Sequence, residues 1–209
     1  MQLNQFKEHI KSYVPFRLTN DQEKLLHVLH DFLSYDIGKK TFVLKGYAGT
    51  GKTTMVSALV KALGKWNYTS MLLAPTGRAA KVLTGYSKRR AFTIHKMIYS
   101  TRRVSGRMQF VLKNNTFKRT IFIIDEASMI DIFLMVNLLR AIPLKAQVVI
   151  IGDIGQLPSV SAGAVLRDII NSKQVACARI EKIQRQKGTS SIIVKSHDID
   201  KGKFDYSET

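Results

Sequence analysis

Residues 41–54 read TFVLKGYAGTGKTT, and this stretch decides the fold. TFVLKG is a short apolar run of the kind that forms a buried strand. Gly46 through Thr53 then fits G-x-x-x-x-G-K-[ST] in full. Gly46, Gly49 and Gly51 let backbone N–H groups converge on phosphate oxygens, an approach that side chains would block. Lys52 opens a helix and can reach β- and γ-phosphates, and Thr53 offers a hydroxyl to Mg²⁺. Thr50 and Thr54 share this strand–loop–helix turn and join the expected ATP-binding set. The helix N-terminus adds a field that favours anions.

Outward from this loop, apolar runs alternate with helical patterns. LTNDQEKLLHVLHDFLS (18–34) has a cap in Thr19 or Asn20, followed by leucines at helical spacing. The helix from Lys52 carries Val56, Leu59, Val60 and Leu63. TSMLLAPT (69–76) reads as a second strand, and a helix starts at Gly77 with Ala79, Ala80 and Val82 packing. TIFIIDEAS (120–128) is a third strand, IDIFLMVNLLRAI (130–142) a helix, and AQVVIIGDIGQLP (146–158) a fourth strand and loop. AGAVLRDII (162–170) is helical, and VACARIEKIQRQ (175–186) supplies a fifth strand. Continuous apolar strands separated by helices imply an α/β domain with a mostly parallel sheet covered on both faces. The glycine loop then lies at the carboxyl end of a strand, where open α/β sheets bind ligands.

Asp125-Glu126 ends the strand TIFII. An acid there can hold Mg²⁺, and the next acid can orient or deprotonate water, which separates hydrolysis from mere binding. By its residues alone the pair also fits a helix cap ahead of ASMID. Asp153 and Gln156 sit at another strand end, where Gln156 either senses the γ-phosphate or is a turn residue.

The 209 residues carry 33 Lys or Arg against 15 Asp or Glu, a formal charge of +18. Between Ile37 and Ile124 there is no acid at all, while the same 88 residues hold 18 Lys or Arg. A polyanion, with nucleic acid first among the candidates, is the expected partner, against the plainer reading of a merely basic, soluble chain. The single cysteine, Cys177, allows no intrachain disulfide. No run approaches the roughly 20 apolar residues of a membrane span, and MQLNQFKEHIKSY lacks a hydrophobic signal core. The expectation is a cytoplasmic protein with no membrane partner.

YSTRRVSGRMQFVLKNN (99–115) breaks the α/β alternation. It fits either a protruding β-hairpin turning at Val104–Arg107 or a long surface loop.

Taken together, these segments resemble the first motor lobe of superfamily 1B DNA helicases, the RecD-like, Dda-like and Pif1-like group, from about Leu18 to Phe204. The matching blocks are LTNDQ, GYAGTGKTT, LLAPTGRAAKVL with FTIHKMI, IIDEASMI, IGDIGQLPSVSAGAVLRDII, and KIQRQ with SSIIVKSHDIDKGK. The resemblance implies a P-loop NTPase (RecA-like) three-layer sandwich that uses ATP and Mg²⁺. It implies that Gln22 contacts adenine, that Arg185 reaches the γ-phosphate, and that Lys52, Glu126 and Gln156 serve hydrolysis. It further implies contacts to single-stranded DNA or a DNA junction through Thr76, Thr93 and His95, with Arg78 and Lys81 nearby. Thr76 also fits a helix cap, and His95 a packed histidine. In the Dda type a hairpin at this place splits duplex, so Arg102, Arg103 and Phe110 become candidate DNA contacts; Phe110 also fits packing on the parent domain.

Two positions depart from the family pattern. Gly155 stands where an acid precedes the Gln, and Gln184 stands where a Phe precedes Arg185-Gln186. They bear on ATP–DNA coupling and adenine-side packing. The resemblance also implies that a second RecA-like lobe is missing, to be completed by further sequence or another polypeptide. The expected activity is that of the ATP-hydrolysing lobe of a 5′-to-3′ DNA helicase. The alternative is a nucleotide-dependent nucleic-acid binding module that does not unwind.

Overall fold

The computed structural model describes residues 2–34, 40–47, 49–104, 107–113, 117, 119–144 and 146–181. The strands are β1 (Lys40–Gly46), β2 (Thr69–Ala74), β3 (Ala91–Thr93), β4 (Tyr99–Val104), β5 (Arg107–Leu112), β6 (Thr120–Ile124), β7 (Gln147–Gly152) and β8 (Ala176–Ile180). The helices are α1 (Leu3–Lys11), α2 (Asn20–Ser34), α3 (Lys52–Leu63), α4 (Gly77–Ser87), α5 (Ile94–Ile98), α6 (Ile132–Ala141) and α7 (Val165–Asn171).

Six strands form one sheet in the order β3-β2-β6-β7-β1-β8, and every neighbouring pair is parallel. The pleat divides the apolar strand residues between two cores. Phe42, Leu44, Ile121, Ile123, Val149 and Ile151 pack under α1 to α4. Val43, Phe122, Ile124, Val148 and Ile150 pack under α5, α6 and α7. Because both faces are covered, the central strands carry no polar alternation: all five residues of β6 are buried. The result is an α/β three-layer sandwich with a parallel sheet.

Parallel pairing puts all carboxyl ends at one edge. Gly46 at the end of β1, Thr76 after β2, Asp125 after β6 and Asp153 after β7 therefore share one rim. β7 lies between β1 and β6. The glycine loop and the Asp125-Glu126 pair are thus two strand spacings apart, about 9.6 Å, wide enough to take phosphate groups between them.

The helix starts are local events. Thr19 and Gln22 form a reciprocal cap: the Thr19 hydroxyl accepts the Gln22 N–H at 3.3 Å, and Gln22 Oε1 accepts the Thr19 N–H at 3.1 Å. Thr76, Thr93 and Asp131 cap α4, α5 and α6 through their side-chain oxygens.

The structure departs from the sequence reading in several places. The sheet has six strands where five were expected, because β3 is only three residues long and gives no readable period. α1 was not anticipated; Phe6 and Ile10 anchor it in the core. Val82 was expected to pack, yet it is 59% exposed. α4 turns Ala80 and Leu83 inward instead, leaving Val82 over the rim. In the segment that reads as hairpin or loop, β4 and β5 pair antiparallel from Tyr99↔Leu112 to Val104↔Arg107. Bonds from the Lys113 N–H to the Ile98 carbonyl, 2.7 Å, and from Lys113 Nζ to the Lys96 carbonyl, 2.8 Å, tie its base to α5.

Candidate nucleotide site and nucleic-acid face

The glycine loop is held from three sides. Thr50 is buried, and its hydroxyl donates to the Tyr47 carbonyl at 2.9 Å. Gln22 Nε2 donates to the Thr50 carbonyl at 3.2 Å. Gly51 adopts φ +89°, and a Cβ there would come within 2.9 Å of Gln22 Nε2. A Cβ on Gly46 would meet the Ile180 carbonyl oxygen at 2.5 Å. Both positions therefore exclude a side chain, one by conformation and contact, the other by contact with backbone. Gly49 also has a positive φ, +79°. The loop delivers the chain into α3, whose first N–H groups have no intrahelical acceptor.

Lys52 Nζ folds back over this loop and donates to the Gly46 and Tyr47 carbonyls, the latter at 2.7 Å. Burial lowers its pKa, while Asp153, Asp125 and Glu126 pull it back up. Asp153 is 5% exposed and lies at the end of β7, where its carboxylate accepts the Gly155 N–H at 3.0 Å.

Across the cleft, Asp125 Oδ1 accepts the Glu126 N–H at 3.0 Å, and Oδ2 accepts the Tyr86 hydroxyl. Glu126 sits at φ +55°, the left-handed region that non-glycine residues seldom occupy. Such strain persists only where the surroundings impose it, and it clusters at functional sites. Burial raises the Glu126 pKa, with the neighbouring Asp125 charge adding to it. A base with a raised pKa is better matched to taking a proton near neutral pH. Gln156 Oε1 accepts the Ser128 hydroxyl at 3.3 Å, linking the loop after β7 to the turn after Glu126.

Lys52, Thr53, Asp125, Glu126 and Gln156 line a single cleft of about 730 Å³, together with Gly49, Gly51 and Thr54. Thr76 and Arg78 lie on the same cleft, at the start of α4. Gln22 stands behind the loop, fully buried. Arg185 lies outside the described residues. Two cleft residues have no signal in the sequence: Phe16, ahead of the capped helix, and Tyr86, in the last turn of α4.

Among the described residues no group of three or more His, Cys, Asp or Glu side chains could hold a metal by itself. The donor set here, one hydroxyl and one carboxylate beside a phosphate cradle, fits Mg²⁺, which keeps waters and takes its other ligands from phosphates.

The other DNA candidates gather elsewhere. Thr93, His95, Lys96, Tyr99, Phe110 and Lys113 line a second hollow of about 900 Å³ between α5 and the hairpin. His95 is exposed rather than packed in the core, 6.0 Å from the Tyr99 ring. Phe110 does not pack on the parent domain; it is 77% exposed and meets Tyr99 edge-on at 6.3 Å. His95 lies on α5 and Phe110 on β5, both on exposed surface. Arg102 and Arg103 are exposed on β4, and Lys81 is exposed on α4. Thr76 and Thr93 are both helix caps, each with its hydroxyl oxygen accepting an N–H at 3.2 Å.

A glycine loop between the first strand and α3, an acid pair two strands away, and an all-parallel covered sheet define a RecA-like P-loop NTPase domain. Residues 18–208 match the family model described as AAA domain, and the chain belongs to that family. It is 31% identical over 163 residues to the ATP-dependent RecD2 DNA helicase of Deinococcus radiodurans, covering 77% of this chain and 22% of that protein. It is 32% identical over 184 residues to the RecBCD enzyme subunit RecD of Buchnera aphidicola subsp. Schizaphis graminum, covering 72% of this chain and 30% of that one. The chain thus spans under a third of the length of these relatives. In fold it resembles the crystal structure of Pif1 helicase from Candida albicans, with TM-score 0.57 and 22% identity over 88% of this chain and 44% of that one. It is a RecA-like P-loop NTPase domain related in sequence to the RecD type of helicase. Among the described residues no helix is long and apolar enough to cross a membrane.

Proposed function

We propose that this chain is the ATP-binding and hydrolysing motor lobe of a 5′-to-3′ DNA helicase. A second RecA-like lobe, on further sequence or another chain, would complete it for translocation on single-stranded DNA and duplex unwinding. The observation that carries the reading is the single cleft that brings Lys52, Thr53, Asp125 and Glu126 together at the carboxyl ends of parallel strands.

In this reading the loop N–H groups and Lys52 hold the β- and γ-phosphates. To do so, Lys52 exchanges its two loop carbonyls for phosphate oxygens. Thr53 and Asp125 would hold Mg²⁺, which would supply charge neutralisation at the phosphates. Glu126 takes a proton from water as that water attacks the γ-phosphorus; the bond to the β–γ bridging oxygen breaks, leaving ADP and phosphate. Gln156 faces the γ-phosphate side and carries its state through Ser128. Arg185 adds a fixed fork of donors for transition-state charge, as the family resemblance implies. Gln22 steadies the loop and, by the same resemblance, meets the adenine. Single-stranded DNA runs over Thr76, Arg78, Lys81, Thr93 and His95 toward the hairpin with Arg102, Arg103 and Phe110.

The test is ATP hydrolysis by the 209-residue chain with and without single-stranded DNA, with Glu126→Gln as control. DNA-stimulated turnover that disappears in the variant is the expected result. ATP binding with DNA affinity but no turnover would favour a binding module. Absence of ATP binding would sink both readings.

A further inference from the structure

Tyr86 belongs to none of the motif assignments, yet it occupies the metal side of the cleft. It comes from the last turn of α4, where the Ser57 hydroxyl of α3 donates to its backbone carbonyl at 3.1 Å. Its own hydroxyl donates to Asp125 Oδ2. Thr53, at the start of α3, lines the same cleft. Tyr86 therefore holds Asp125, one of the two residues that would receive the ion.

A phenol has one proton to donate, and that of Tyr86 is committed to Asp125. On Asp125, the Tyr86 hydroxyl and the Glu126 N–H take one oxygen each, which fixes the carboxylate plane. Each oxygen retains a second lone pair for a metal-bound water.

We infer that Tyr86 is a positioning residue for the divalent cation. It turns the Asp125 carboxylate into the orientation in which it receives Mg²⁺ with the nucleotide. The inference rests on the reading of this cleft as a nucleotide site. Tyr86 acts only through this neighbour.

The test is a Mg²⁺ titration of binding of a fluorescent ATP analogue to the full chain, read by anisotropy. Tyr86→Phe keeps the ring and removes the hydroxyl. The Mg²⁺ concentration for half-maximal binding is expected to rise about 10- to 100-fold, the range for losing a partner of a metal ligand. Nucleotide affinity in EDTA is expected to stay within about twofold of the parent chain, showing that the fold and the phosphate loop survive. Tyr86→Phe combined with Asp125→Asn should have the midpoint of Asp125→Asn alone, because residues acting as a unit are not additive. An unchanged or lowered midpoint in Tyr86→Phe would overturn the inference, as would additive effects in the double variant. If the parent chain itself shows no Mg²⁺-dependent binding, the nucleotide-site reading fails and takes this inference with it.

Discussion

Gln22 and Thr50, 28 residues apart in sequence, are joined by a 3.2 Å hydrogen bond from the buried Gln22 amide to the Thr50 carbonyl. Through its other end Gln22 closes the cap of α2. One side chain thus ties the start of a helix to the phosphate loop. Gln22→Ala should cost about 1–3 kcal/mol, since it leaves a buried carbonyl without this partner and opens the cap. Thermal denaturation measures that. Affinities for ATP and GTP should both fall, with ATP losing more if the adenine edge is read here. Equal losses would confine Gln22 to loop support.

Lys52 donates to two loop carbonyls and is held among three acids. Lys52→Ala should retain the fold, because its aliphatic neighbours stay packed. It should weaken Mg-ATP by about 10- to 150-fold, corresponding to the 1.5–3 kcal/mol of hydrogen bonds to a charged group. Calorimetric titration tests it; wild-type affinity in the variant would remove the phosphate-site assignment.

Glu126 has its pKa raised, first by burial and then by Asp125. The base form needed for hydrolysis is therefore lost at a higher pH than for an ordinary glutamate. The acid limb of kcat/KM should lie above the usual value of about 4.3. The stability consequence has a definite sign. A carboxyl with a raised folded-state pKa contributes stability below its unfolded pKa, and that contribution fades as pH rises through the folded value. Glu126→Gln should therefore melt higher than the parent near pH 7, with the advantage shrinking as pH falls through the raised folded value and gone below about pH 4.3. Paired melting curves across that range decide it; an advantage that grows on acidification contradicts the assignment.

The strand ends were legible because a buried parallel strand has no polar residue until it leaves the sheet. Asp125 follows four buried apolar residues after Thr120, and Asp153 follows five buried non-polar residues after Gln147. An all-parallel sheet then brings those ends to one rim without further information. Three-residue β3 was illegible because no periodicity shows at that length, and the fate of Val82 because helical spacing does not say where a sheet edge stops. Tyr86 was hidden for a different reason. Its place depends on the crossing of α3 and α4, fixed by the Ser57 bond, and a tyrosine after a glycine carries no phosphate or metal signature. The exposed Phe110 likewise reflects tertiary placement: alternation through Met108, Phe110 and Leu112 marks a strand face but not what lies opposite it.

The hairpin gives the sharpest test of the nucleic-acid face. Its register places Thr101 opposite Phe110 and Arg103 opposite Met108, with Arg102 on the other face opposite Gln109. Phe110 is 77% exposed, and Arg102 and Arg103 are exposed. Substitutions there should leave the melting temperature nearly unchanged, within about 0.5 kcal/mol. Binding should respond differently to the two chemistries. If each arginine neutralises one phosphate, Arg102→Ala with Arg103→Ala should flatten the slope of log K against log salt by about 1.4 for a single strand. Phe110→Ala removes no charge, so it should leave that slope intact while weakening single-stranded DNA by about 1–3 kcal/mol through lost base stacking. Anisotropy titrations at several salt concentrations separate the two effects. A slope changed by Phe110→Ala but not by the arginine pair would mean that the DNA path does not cross the hairpin in this way. Unchanged binding in all the variants would move the path off the hairpin altogether, toward the basic surface around Arg78 and Lys81.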